Sequence, residues 1–260
     1  MADLIHLLWL TVWLRPYVFG YFAAYALSGA ADLGLPRLAL FTLLAYALAW
    51  LSEYSSIHNG FPYGLYRYHH ATLGRELWVG GVPFFDSLSY TFLAYASLCA
   101  ALGRLGRHHA TPGRAARIQA ALLGGLLMLL QDVVVDPVAV RGSRWFLGDL
   151  FDYPHGGAYF GVPLSNFGGW FLTGTLICAA YLWAERRFRA WLPTPPRPRR
   201  PYATGTALYF TIMAFNVALA FYIGEPALGV AGAVVAATAA AAVRPRRLWR
   251  RPRPSGLLEG

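Results

Sequence analysis

Seven long apolar stretches dominate the chain and leave it few ways to fold. They run over residues 16–33, 36–52, 84–103, 118–135, 162–183, 204–223 and 227–243. A helix crosses the hydrocarbon layer in roughly 17–25 residues, and in lipid the backbone polar groups have to be satisfied inside the helix itself. The expected fold class is therefore all-α: a polytopic transmembrane helical bundle of about seven spanning helices, with irregular non-cytoplasmic loops. Composition agrees. Hydrophobic residues make up 57% of the chain and charged residues 13%, against about 25% charged in soluble domains. One integral-membrane domain, 1–260, is expected, with helices over 16–243 and an Arg-rich tail over 244–260. A short apolar lead-in precedes Arg15-Pro16. It reads either as a tilted extension of the first span or as a separate interfacial helix.

The formal charge of +10 comes from 22 basic residues, all arginine. Their placement argues against a nucleic-acid partner and for a lipid bilayer. Arg104, Arg107, Arg114 and Arg117 join the third and fourth runs. Arg186, Arg187, Arg189, Arg197, Arg199 and Arg200 join the fifth and sixth. Arg244, Arg246, Arg247, Arg250, Arg251 and Arg253 form the tail. Alternating spans put all three clusters on one side, and the positive-inside rule makes that side cytoplasmic. The expected location is the inner (cell) membrane, multi-pass, with the Arg-rich loops and C-terminus in the cytoplasm. Asp3 and the lack of a basic leader argue against a cleaved signal peptide. Cys99 and Cys178 sit within apolar runs and read as small buried helix residues.

The opposite side carries the connections 53–83 and 136–161 and the turn Gly224-Glu225-Pro226. Glycine and proline are dense there, which marks irregular backbone. At a membrane face such backbone packs in protein or lines a cavity. Seven acidic residues gather on this side: Glu53, Asp86, Asp132, Asp136, Asp149, Asp152 and Glu225. Glu53 ends the second run and Asp86 starts the third. Asp132 and Asp136 are four apart and share a helix face. Asp132 lies about a turn inside the bilayer boundary, where a carboxylate costs a few kcal/mol unless paired, protonated or wetted. A carboxylic acid kept protonated near neutral pH serves as a general acid. Each lone carboxylate has a plainer reading, as the ion-pair partner of Arg67, Arg141 or Arg144. Asp136-Pro137 also reads as a helix end. The cluster as a whole reads as a site.

Of the seven histidines, His58, His69, His70 and His155 lie on this face. They lack the repeated HxxxH or HxxHH spacing of membrane di-iron sites, so no metal is expected. His58 reads as a polar or proton-relay residue. Tyr54, Phe61, Tyr63, Tyr66, Tyr68, Trp78, Phe84, Phe85 and Tyr90 crowd the first connection. They form an interfacial belt or the lining for a greasy polyene, and aromatic faces also stabilise a carbocation. Asn166 opens the fifth run after Pro163 and either positions a water or bonds a neighbouring helix.

The stretch from Glu53 to Tyr68 (Glu53-Tyr54-Ser55-Ser56-Ile57-His58-Asn59-Gly60-Phe61-Pro62-Tyr63-Gly64-Leu65-Tyr66-Arg67-Tyr68) resembles the first signature of the integral-membrane carotenoid biosynthesis family. Leu73-Gly74 and Gly81-Val82-Pro83 continue it. Asp132, Asp136-Pro137, the run Tyr159-Phe160-Gly161-Val162-Pro163-Leu164-Ser165-Asn166-Phe167, and Gly169-Trp170 resemble the second. The resemblance covers about 36–183 and implies carotenoid biosynthesis, specifically addition of water across the terminal double bond of an acyclic end group to give a tertiary alcohol. It implies a carotenoid polyene and water as partners, other enzymes of the pathway alongside, and no cofactor. The chemistry needs a protonated carboxyl group, stabilisation of a tertiary cation and an acceptor for the water proton. Asp132 and Asp136 are the expected acids, then Glu53, with His58 or Asn166 orienting water. Tyr63, Tyr66, Arg67, Tyr68, Asp86, Tyr159, Phe160 and Trp170 are the expected substrate-binding residues. Lateral entry of the polyene from the bilayer is expected.

Two other classes compete. Asp132 and Asp136 have the DxxxD spacing that holds Mg²⁺ on a diphosphate, with Asp149 and Asp152 as a second acidic motif, which would suit a membrane prenyltransferase. Ring-forming cyclases fit less well, since no acidic PxE motif is present. A transporter or scaffold would also bury acids, although no inverted repeat is visible.

Overall fold

The computed structural model describes residues 4–106, 113–194, 196 and 200–244. Among these it has eight α-helices: α1 Leu4–Leu14, α2 Pro16–Leu33, α3 Leu35–Asn59, α4 Phe84–Arg104, α5 Arg114–Ala139, α6 Leu164–Arg187, α7 Ala203–Tyr222 and α8 Pro226–Val243. Successive helices from α2 to α8 alternate in direction. One end of the bundle gathers the 60–83 and 140–163 connections, and the other gathers the described arginines of the three clusters. Arg107, Arg197, Arg199 and the tail arginines beyond Arg244 lie outside the described residues.

Five helices, α3 and α5 to α8, are long and apolar enough to cross a membrane. The chain is an α-helical, multi-pass membrane bundle. α2 and α4 have spanning length but more polar composition. The reason is visible in α4, which is the bundle's central helix and is buried along nearly its whole length. Its polar residues face protein, so lipid places no demand on them. The lead-in forms its own helix, α1, ending where Arg15 breaks the chain (φ −124°, ψ 48°) before Pro16. At 11 residues it is too short to span.

The second run ends at 52, but α3 continues to Asn59 and is closed by Gly60 in the left-handed conformation, whose N–H bonds Ser56 O. Falling hydropathy marks the edge of the lipid, whereas the helix ends where the backbone can adopt a cap. Glu53 therefore lies two turns inside a helix. Similarly, Asp136-Pro137 does not end α5, which runs on to Ala139. Pro163 stands one position before α6, as its N-cap.

The connections are folded structures. Short antiparallel pairs join β1 (Arg67–Tyr68) to β4 (Phe151–Asp152), and β2 (Trp78–Val79) to β3 (Val82–Pro83). The first pair ties the two long connections together, reinforced by His69 N–H to Leu150 O at 2.8 Å.

α5 and α6 approach closely through Gly124, Gly125 and Gly174. A Cβ on Gly125 would stand 2.7 Å from the Phe171 carbonyl oxygen and 2.0 Å from Thr175 Oγ1. Small residues allow this spacing where no hydrophobic effect drives helices together. Gly125→Ala is expected to destabilise the bundle by about 1–3 kcal/mol, read as a lowered unfolding temperature in detergent. An unchanged temperature would show that the two helices separate freely.

Candidate active site

The ends of α2 to α7 and both long connections line a cleft with about 890 Å³ of empty space, open solvent at its mouth included. Three carboxyl groups line it and a fourth stands behind them. On one wall, Glu53 of α3 accepts a hydrogen bond from Ser87 Oγ, and Asp86 of α4 accepts one from Tyr68 OH at 2.6 Å. On the other wall, Asp136 Oδ2 accepts from Tyr153 OH at 2.9 Å. One turn deeper on α5, Asp132 Oδ2 accepts from Asn166 Nδ2 at 2.6 Å. Asp132 is fully buried, and its Oδ1 has no hydrogen-bond donor among the described residues. Glu53, Asp86, Asp136 and Asn166 line the cleft, and Asp132 stands behind them.

Among the described residues none of these four carboxyls forms an ion pair. The arginines expected as their partners are taken elsewhere. Arg67 pairs with Asp152 at 2.7 Å, while Arg141 and Arg144 both hold Glu225, at 3.0 and 2.5 Å. The Arg67 guanidinium, with help from His69, holds Asp152 below the usual carboxylate range. Arg141, then Arg144, do the same for Glu225. Buried carboxyls without a cation are far cheaper to keep neutral than charged. The cleft thus holds groups suited to carry and exchange protons.

Arg15 closes the cleft from the side of α1. Its guanidinium makes two 3.0 Å bonds to Glu76, donates to Leu147 O at 2.5 Å and stacks 4.4 Å above the Phe85 ring. Both charges are buried. Aromatic rings supply most of the remaining wall. Trp170 stacks on Tyr90 with centroids 4.5 Å apart. Tyr66 meets Tyr68, Phe151 and Tyr153 edge-on at 5.3–5.8 Å. Tyr63 is held by its hydroxyl on Thr173 at 2.9 Å.

Of the residues singled out in the sequence, the structure brings together Glu53, Asp86, Asp136, Asn166, Tyr63, Tyr66, Tyr68 and Trp170 around the cleft, with Asp132 behind. Four lie elsewhere. His58 is exposed and bonds Tyr54 O of its own helix at 2.7 Å. Arg67 is exposed on its pair with Asp152. Tyr159 packs on Phe160 and Phe167, and the Phe160 carbonyl accepts from Arg141. The second acidic motif is also occupied: Asp149 and Asp152 both hold His69, at 3.0 and 2.7 Å. Sequence reasoning did not find Arg15, Glu76, Tyr17, Tyr21, Tyr153, Phe215 or Asn216. An arginine next to a helix break inside an apolar lead-in was the available signal for the first.

A multi-pass helical membrane protein with a carboxyl cluster that forms no ion pair among the described residues, in an aromatic cleft, is the class that these features define. The family model for carotenoid biosynthesis proteins matches residues 15–239, and the chain belongs to that family. It is 33% identical over 144 residues to the bisanhydrobacterioruberin hydratase of Haloarcula japonica, an alignment that covers 55% of this chain and 42% of that protein. The chain thus spans less than half the length of this curated relative. No solved structure matches it.

Replacing Arg15 by Met should leave Glu76 buried and unpaired, at a cost of about 3–5 kcal/mol. The double replacement Arg15→Met with Glu76→Met should recover most of the lost unfolding temperature in detergent. Equal losses in the single and double variants would show that packing, and not charge pairing, holds this corner.

Proposed function

We propose that the cleft hydrates the terminal double bond of an acyclic carotenoid end group, producing a tertiary alcohol. The observation that carries this reading is the set of four buried carboxyls without a cation partner in an aromatic-lined cleft of a carotenoid biosynthesis protein. The relative's hydratase name supports the same chemistry.

Asp136 is the acid, because it lines the cleft where Asp132 does not. Its carboxyl proton goes to the less substituted alkene carbon, and the π electrons form the new C–H bond. A tertiary cation remains on the neighbouring carbon. Trp170, Tyr63 and Tyr66 line the cleft around it, and a ring face attracts a cation by about 0.5–2 kcal/mol. Water then forms the C–O bond. Its excess proton passes to a carboxylate of the opposite wall, Glu53 or Asp86. Return of that proton to Asp136 closes the cycle with one water consumed and no net redox change. Asn166, with its amide nitrogen on Asp132, has its carbonyl oxygen to orient the water. Asp132 acts through Asn166 and Asp136 as a positioning residue. The arginine-rich ends face the cytoplasm in this reading, so water reaches the cleft from the non-cytoplasmic side.

Pigments from a lycopene-producing bacterium expressing the chain are expected to include a more polar product, heavier by one water and with an unchanged visible spectrum. Asp136→Asn should lower its yield by roughly 10²–10⁴-fold at equal membrane abundance. Wild-type turnover in Asp136→Asn would move the acid to another carboxyl. A wild-type strain without the hydrated pigment would overturn the hydration reading.

A further inference from the structure

The cleft adjoins a second cavity across part of its aromatic wall. Tyr17, Tyr21 and Phe215 line it on one side, and the same three side chains line a second groove, between α2 and α7. This groove has about 900 Å³ of empty space. Its α2 edge is built from Gly20 and Ala24, both exposed on the outside of the bundle. A Cβ on Gly20 would meet nothing within 4 Å, so this edge is open because its residues are small. At the far end Ser28 Oγ and Thr204 Oγ1 lie 2.6 Å apart. Tyr17 to Ser28 on α2 is matched by Phe215 to Thr204 on α7, antiparallel, a length of about 16 Å at the helical rise of 1.5 Å per residue.

We propose that this groove seats the polyene chain of the substrate while its end group lies in the cleft, and that the chain enters between α2 and α7. The proposal rests on the reading of the cleft as the place where the end group reacts. Three observations carry it. The groove and cleft are adjacent, with Tyr17, Tyr21 and Phe215 as their common wall. The groove opens on the outer face of a membrane bundle, where a water-insoluble chain resides. At the junction, Tyr17 and Phe215 lie nearly parallel (22°, centroids 6.2 Å apart) with Tyr21 edge-on to Phe215 at 5.9 Å. These flat rings suit a flat conjugated chain, which makes dispersion contacts along its length. A long polyene cannot lie inside a cleft that holds only its end, so the rest of it needs such a channel.

The test uses the full chain in lipid nanodiscs with two substrates that share the same end group, an acyclic carotenoid and a short acyclic terpene hydrocarbon. Gly20→Trp fills the groove; Gly20→Leu repeats the test with a smaller side chain in case the indole disturbs packing. Leu43→Trp, on an exposed position of α3 that lines neither cavity, is the control. The groove variants should lose turnover of the carotenoid by about tenfold or more relative to the short terpene, and less carotenoid should co-purify with them. The control should retain the wild-type ratio. An unchanged ratio in the groove variants would overturn the groove assignment and leave the cleft reading standing. Loss of co-purifying phospholipid with carotenoid retained would give the groove to a lipid acyl chain and overturn it too. A wild-type protein that converts neither substrate would overturn the cleft reading itself.

Discussion

The allocation of guanidinium groups determines what this bundle can do. Charges removed from water are tolerated only when matched within the protein. Here the arginines near the membrane ends are matched outside the cleft: Arg15 to Glu76, Arg37 to Glu185, Arg67 to Asp152, and Arg141 with Arg144 to Glu225. What remains for Glu53, Asp86, Asp132 and Asp136 is a set of hydroxyl and amide donors. A carboxyl matched by arginine is fixed as an anion and has lost its use as an acid. One surrounded by tyrosine, serine and asparagine can hold a proton or give it up. The ion pairs outside the cleft therefore preserve the chemistry inside it.

Arg15 links this electrostatic division to the shape of the cleft. It stands where α1 breaks from α2, and it reaches Glu76 in one long connection and Leu147 O in the other while covering Phe85 of α4. Thr11 of α1 adds a second tie by accepting from Leu77 N–H at 2.8 Å. Phe85, Leu147 and Tyr17 all line the cleft. One buried ion pair thus holds two loops and two helices in register around a space that α2 to α7 leave open.

The apolar runs made the bundle legible, since span length and alternation are set by lipid thickness and backbone hydrogen bonding, and both are written in composition. Asp132 and Asp136 were legible as a pair because spacing by four has one meaning on a helix. The helical extension Glu53–Asn59 was hidden because hydropathy reports the solvent of a segment and says little about its backbone. Tyr17, Tyr21, Phe215 and Asn216 were hidden for a different reason. On a helix that is apolar all round, no periodicity marks which face meets protein; only packing decides it. Glu76 lies in a polar loop, and its burial goes with Arg15, which is 61 residues away. His58 stood out by residue type, yet its position on α3 turns it outward.

The carboxyls lie at the end of the bundle where the folded connections gather, and the α2/α7 groove opens on the bundle's outer face beside them. Under the proposed chemistry this placement follows from the solubilities of the two reactants. Water and a carotenoid share no common phase, so a hydratase has to stand at a boundary and admit each from its own side. It also has to keep water scarce near the alkene: excess water would solvate the acid, screen the aromatic faces and make protonation of carbon harder. A site deep in the bilayer would lack water, and one in the loops would lack the polyene. The turn of α5 that carries Asp132 and Asp136, backed by Asn166 and roofed by Tyr153, is where a helix leaving the membrane meets a connection that folds back over it. That is the part of such a bundle where an acid can be both dry enough to stay protonated and close enough to solvent to be recharged.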